Sequence, residues 1–185
     1  VSIKTVVAAR ELLRERGAMK LVPDLTSAIA GEPVRGTWWA HPRGKDIYRI
    51  ANALEDDDTV LVAKLAEGKV TFVDERLFAA VARVVTDRGW RAARIAGLDA
   101  AAKRLLARVD REERVRIENR ALAGARKALE AAALVRGVQE HTESGHHASV
   151  LESWRAWAPK AKRKLTLAAA LAELRDVGID LSEQR

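Results

Sequence analysis

The chain has no cysteine in its 185 residues. That excludes disulfides, thiolate metal sites and cysteine nucleophiles together. No stretch approaches the roughly 18 consecutive apolar residues of a membrane-spanning helix. The opening Val1-Ser2-Ile3-Lys4 does not lead into a secretion signal. A soluble cytoplasmic protein without a membrane partner is the expectation. There is no G-x-S-x-G, no H-E-x-x-H and no dinucleotide fingerprint, so no cofactor is implied and an enzyme is the less favoured class. Aromatic residues are scarce at 4%, yet five of them are tryptophans. Trp38, Trp39, Trp90, Trp154 and Trp157 are therefore expected to anchor packed elements.

Apolar residues make up 48% of the chain, enough to build a core. The length admits one large domain or two small ones. Net charge is +7 and is unevenly placed. Residues 1–88 carry 14 Lys/Arg against 13 Asp/Glu, a balance of +1, whereas residues 89–185 carry 19 against 13, a balance of +6. A basic second half attracts a polyanion through its long-range field.

Hydrophobic spacing and capping residues predict a mainly α chain with two short β-hairpins. Helices are expected at Ser2–Arg16, Asp24–Ala30, from Pro42 to Leu54, and from Asp74 to about Gly89. The first hairpin is expected at Thr59–Leu65 and Lys69–Val73 around the turn Ala66-Glu67-Gly68. Trp90 to Gly97 reads as a joint. Asp99 then caps a helix to Val109, Arg114–Glu118 alternates like a strand, and Asn119 caps a helix over Arg120–Ala132. A second hairpin should join Val135–His141 to His147–Leu151, and Thr166 should cap a last helix stopped by Gly178. The domains expected are 1–89, a helical module with a hairpin; 97–158, a second module; and 165–185, a C-terminal helix.

The stretch His141-Thr142-Glu143-Ser144-Gly145-His146-His147 holds three of the four histidines and falls at the tip of the second hairpin. Residues 99–154 present helix, short strand, helix and two-stranded wing in that order. In this they resemble the winged helix-turn-helix superfamily, although Ile117 to Arg120 leaves little room for its middle helix. The resemblance implies tandem winged-helix-like modules plus a C-terminal helix, with a nucleic-acid partner. The stretches Gly36–Lys45 and His141–His147 also resemble signatures of a bacterial protein family, and imply no activity.

The expected partner is nucleic acid, duplex DNA ahead of RNA. Arg120, Gly124, Lys127 and Ala131 should share the outward face of the second-half helix. Small residues between cations there would let the helix approach a groove while the cations reach phosphates. Arg126 joins them as a candidate contact. At the wing, Thr142, Ser144 and His146 offer hydroxyl and imidazole groups to phosphate. Lys160, Lys162, Arg163 and Lys164 form a basic run suited to counterion release. Three other readings stay open. His141, Glu143 and His146 or His147 could hold a metal ion. A nuclease- or glycosylase-type enzyme could use His41, His141 or His147. The modules could instead bind a protein partner or a second copy. The Trp38–Lys45 segment is weighed as a stacking platform for unpaired bases and as core.

Overall fold

The computed structural model describes residues 2–34, 37–141, 147–158 and 163–182. Helix α1 (Val6–Arg16) begins at Thr5, whose hydroxyl accepts the Ala8 amide, and not at Ser2 as the sequence suggested. Gly17 ends it at φ 82°, a conformation open to glycine. Strand β1 (Ala18–Lys20) follows at once, then a turn of π-helix (Leu21–Leu25) and α2 (Thr26–Ala30). A 3₁₀ turn (Trp38–Ala40) leads into α3 (Gly44–Glu55), and β2 (Val60–Ala66) and β3 (Lys69–Asp74) close the unit. Two residues, Glu67 and Gly68, join these strands with φ of 54° and 69°. Positive φ at both positions matches the twist that a two-residue hairpin requires.

Asp74 accepts the Arg76 amide and opens a 3₁₀ turn leading into α4 (Phe78–Val85). The expected joint at 90–97 is instead mostly helix. Asp87 accepts the Trp90 amide and starts α5 (Arg88–Ala96). Only Trp90 of this helix is buried, so no apolar stripe announced it. Asp99 caps α6 (Ala100–Glu112), and β4 (Arg114–Ile117) follows. Asn119 caps a 3₁₀ turn (Arg120–Leu122) that runs into α7 (Ala123–Ala131). Strands β5 (Arg136–His141) and β6 (His147–Glu152) come next. Two short helices finish the chain: α8 (Trp154–Trp157) and α9 (Leu167–Asp176), the latter capped by Thr166.

The described chain is thus mainly helical with two small antiparallel sheets. Their strand orders are β1-β3-β2 and β4-β6-β5, so each sheet places its third strand between the first and second. Both units run helix, short strand, helical turn, helix and hairpin. The difference lies before the last helix. The first unit holds α2 there, and the second only the turn at Arg120–Leu122.

Sheet β1-β3-β2 is covered on both faces. Met19, Val62 and Phe72 meet Leu13, Ile29, Ile47, Ile50 and Leu54 of α1, α2 and α3. Leu61, Ala63 and Val73 belong to a second cluster, which runs through α4, α6 and α7 to Trp154 and Leu181. This explains the unbroken apolar run Val60-Leu61-Val62-Ala63: a strand buried on both sides does not alternate. Lys64 interrupts the run, and its ammonium meets the Glu130 carboxylate of α7 at 2.8 Å. Beside it the Arg136 Nε donates to the Val62 carbonyl on the outer edge of β2, at 3.3 Å. The two units are joined by a charged seam as well as by apolar packing.

The seam can be tested through stability. Glu130 is 5% exposed, so removing its cation leaves a carboxylate with little access to water. Lys64→Met should lower unfolding free energy by about 2–3 kcal/mol, and Lys64→Met/Glu130→Gln should recover part of that loss. Urea unfolding of both variants checks it, and equal losses in the two would argue against the seam. A second prediction concerns acid. The Asp57 carboxyl is held below its ordinary range chiefly by the Thr59 hydroxyl, and Asp87 chiefly by the Trp90 amide and Arg83. Groups with depressed folded values stabilise above the unfolded range and lose that contribution as pH falls. The melting temperature should therefore drop below about pH 4, and less so in Asp87→Asn.

Candidate nucleic-acid interface

Helix α7 is fixed from its C-terminal end. The carbonyls of Ala132, Ala133 and Leu134, just past the helix, accept from Arg94 Nη1 at 3.2 Å, Trp154 Nε1 at 2.8 Å and Arg91 Nη1 at 3.2 Å. Carbonyls at a helix end have no partner of their own, and cations suit the negative pole of its dipole. Arg91 is itself bound by both Asp110 oxygens, at 3.1 and 2.9 Å. Arg94 lies 4.2 Å from the centre of the Trp90 ring, and burial lowers its proton affinity. On the inner side Glu130 fills the space over Gly137, where an added Cβ would come within 2.1 Å of the carboxylate. A larger residue at that point of β5 would push the Glu130 carboxylate from its place beside Lys64.

The outward face follows the expected spacing: Arg120, Gly124, Lys127 and Ala131 are all exposed. Neither Arg120 nor Lys127 makes a side-chain hydrogen bond or ion pair among the described residues. A Cβ added at Gly124 meets nothing within 4 Å, so two free cations flank a bare stretch of helix. Arg126 behaves differently. It is half-buried, and its Nη1 donates to the Ser149 hydroxyl of β6 at 2.6 Å, tying α7 to its sheet.

The other expected contacts divide. Arg163 is exposed but pairs with Glu173 of α9. Lys164 is exposed and has no ion pair among the described residues. Thr142, Ser144, His146, Lys160 and Lys162 lie outside the described residues, as does most of the proposed metal stretch. His141 and His147 close the described hairpin as register partners. Among the described residues no group of three His, Asp or Glu side chains is placed to hold a metal ion. His41, the remaining acid–base candidate, accepts the Arg43 amide on Nδ1 and shares its Nε2 proton with Glu32 at 3.1 Å.

Much of the positive charge in the second half is engaged internally. Arg136 binds Glu152 at 3.0 Å, while Arg108 and Arg111 share Glu112 and hold its carboxyl below the ordinary range. Fewer cations are therefore free among the described residues than the composition suggests, and Arg120 and Lys127 are two of those that are.

Helical spacing also sets out a second display, on α3, which extends the Trp38–Lys45 segment to Tyr48, Arg49 and Asn52. Lys45, Tyr48 and Arg49 of α3 are exposed and Asn52 half-exposed. Spacing alone would have found them, because they complement the buried stripe of Ile47, Ile50, Ala51 and Leu54. Trp38 and Trp39 lie in a 3₁₀ turn and not in an extended segment, yet they face different surroundings. Trp38 packs on the first core, whereas Trp39 is 69% exposed and meets no interface among the described residues.

No protein-family model matches this chain, and neither the curated proteins nor the solved structures contain a match. No helix among the described residues is long and apolar enough to cross a membrane.

The open space over Gly124 makes a stability test. Gly124→Ala should raise unfolding free energy by about 0.5–1 kcal/mol, the usual gain from replacing a helical glycine. A loss on chemical denaturation would mean that the face is covered.

Proposed function

We propose that this protein binds nucleic acid, duplex DNA in the first place, and that both units are winged-helix-like modules. The shared order of elements and the shared placing of the third strand between the other two support the module reading. In the second module α7 would enter the groove and the β5–β6 hairpin would lie along the backbone as a wing. Duplex DNA is favoured over RNA because the A-form major groove is too narrow for a helix. The cytoplasm is the compartment where such a partner is met.

The observation that carries the reading is the pair of unpartnered cations, Arg120 and Lys127, on either side of Gly124. Neither Asn nor Gln stands on that face, so contacts to phosphate dominate and sequence selectivity is modest. Lys164 is a further exposed cation, beside α4, and Lys160, Lys162 and Arg163 belong to the same basic run. Arg126 contributes by holding α7 on its sheet.

Binding to a mixed-sequence duplex at several salt concentrations tests this. Arg120→Ala/Lys127→Ala should weaken binding alike for all sequences and reduce the salt slope by about 2, one for each phosphate no longer neutralised. Neutralising Lys160, Lys162, Arg163 and Lys164 together should flatten it further. A slope unchanged in the α7 double variant would remove that helix from the interface.

A further inference from the structure

We propose that the outward side of α3 and the Trp38–Ala40 turn form a separate site that stacks unpaired bases of single-stranded nucleic acid. Trp39 and Tyr48, at 69% and 49% exposure, are two of the three large apolar side chains that the described structure leaves in solvent. Their placement is built into the backbone. A Cβ added at Gly44, the first residue of α3, would come within 2.9 Å of the Trp39 carbonyl, so the turn lies directly on the helix start. Tyr48 is one helical turn beyond Gly44 on the same side. Tyr48 thus lies on the side of α3 against which the turn carrying Trp39 is set. Trp38 supports the platform from beneath, its ring centre 5.5 Å from that of Trp39 in an edge-to-face contact.

The charge around the rings fits a phosphodiester strand. Lys45 is an exposed cation on this helix; Arg43 is half-buried and committed to the Ile3 and Ile29 carbonyls and to Asp46, Arg49 is shared between Asp46 and the Lys4 carbonyl, and Glu32 is engaged by His41. Lys45 has no ion pair among the described residues. Arg49 reaches back to the Lys4 carbonyl, which joins α1 to the same surface. Asn52, one turn past Tyr48, offers an amide to a base edge. Exposed rings beside an unpaired lysine, with Asp46 and Glu32 already paired, suit a strand whose bases are free to turn outward. A duplex keeps its bases stacked on each other and would leave both rings unused. This site shares no residue with α7 and does not depend on α7 meeting duplex.

The test uses the whole chain and a labelled oligothymidylate of about 15 nucleotides, within the range that single-strand sites cover. Fluorescence anisotropy should show binding by the wild type. Trp39→Ala and Tyr48→Ala should each weaken it by about tenfold, and Trp39→Phe should retain most of it. Duplex affinity should not change in these variants, and Arg120→Ala/Lys127→Ala should leave oligothymidylate binding within about twofold, well short of the effect of removing a ring. The Tyr48 variant should melt with the wild type, and Trp39→Ala should lose only the small contribution of its edge-to-face contact with Trp38. The proposal is overturned if the wild type ignores oligothymidylate, or if Trp39→Ala binds it as the wild type does. It is also overturned if Trp39→Ala lowers the melting temperature by much more than the loss of one ring contact explains, which would make the ring a packing element. Self-association abolished by Trp39→Ala would overturn it too, assigning the surface to a second copy of the chain.

Discussion

The structure turns on how the end of α7 is held. Three consecutive carbonyls after that helix are taken by Arg94, Trp154 and Arg91, and its last turn carries Glu130 inward to Lys64. These donors come from α5, from α8 and from the edge strand of the first sheet. One helix end thereby fixes the relation between the two halves. A carboxylate buried this far persists only where a cation and close packing compensate its desolvation. Lys64 supplies the first, and Gly137 the room for the second.

This constraint has a consequence for charge. The second half is basic in composition, but the arginines that seat α7 are spent on carbonyls and on Asp110, and others pair with Glu112 and Glu152. Composition therefore overstates the field available to a partner. What remains is local: Arg120 and Lys127 project from a helix that cannot easily rock, with nothing over Gly124 between them. A fixed helix sets where the two side chains start, and each still loses rotamer freedom when it meets a phosphate. The first half shows the converse. Its balance is close to neutral, and α3 presents Lys45 and the Tyr48 ring outward, with Trp39 exposed in the turn before it, while Asp46 is tied up by Arg43 and Arg49. Net charge by segment does not show which cations are left unpaired.

The elements were legible where they carry local signals. Asp74, Asp99, Asn119 and Thr166 each cap the turn or helix that the sequence led one to expect, and Glu67-Gly68 makes the expected turn. The outward face of α7 was legible as well, since helical spacing alone places Arg120, Gly124 and Lys127 together. Strand β1 was not, because three residues are too few to alternate. Helix α5 was not, because its arginines act through contacts with carbonyls far along the chain. The pairing of Lys64 with Glu130 spans 66 residues and has no local trace. The α3 surface was legible in principle, but the histidine-rich stretch at 141–147 points instead to the second hairpin, whose tip lies outside the described residues.

The central claim is that the exposed side of α7 meets a polyanion. Amide chemical-shift mapping of the isotope-labelled protein titrated with a mixed-sequence DNA duplex addresses it most directly. The account predicts perturbations concentrated from Arg120 to Lys127 and fading as salt is raised. Shifts absent from that stretch while appearing on another face would contradict it.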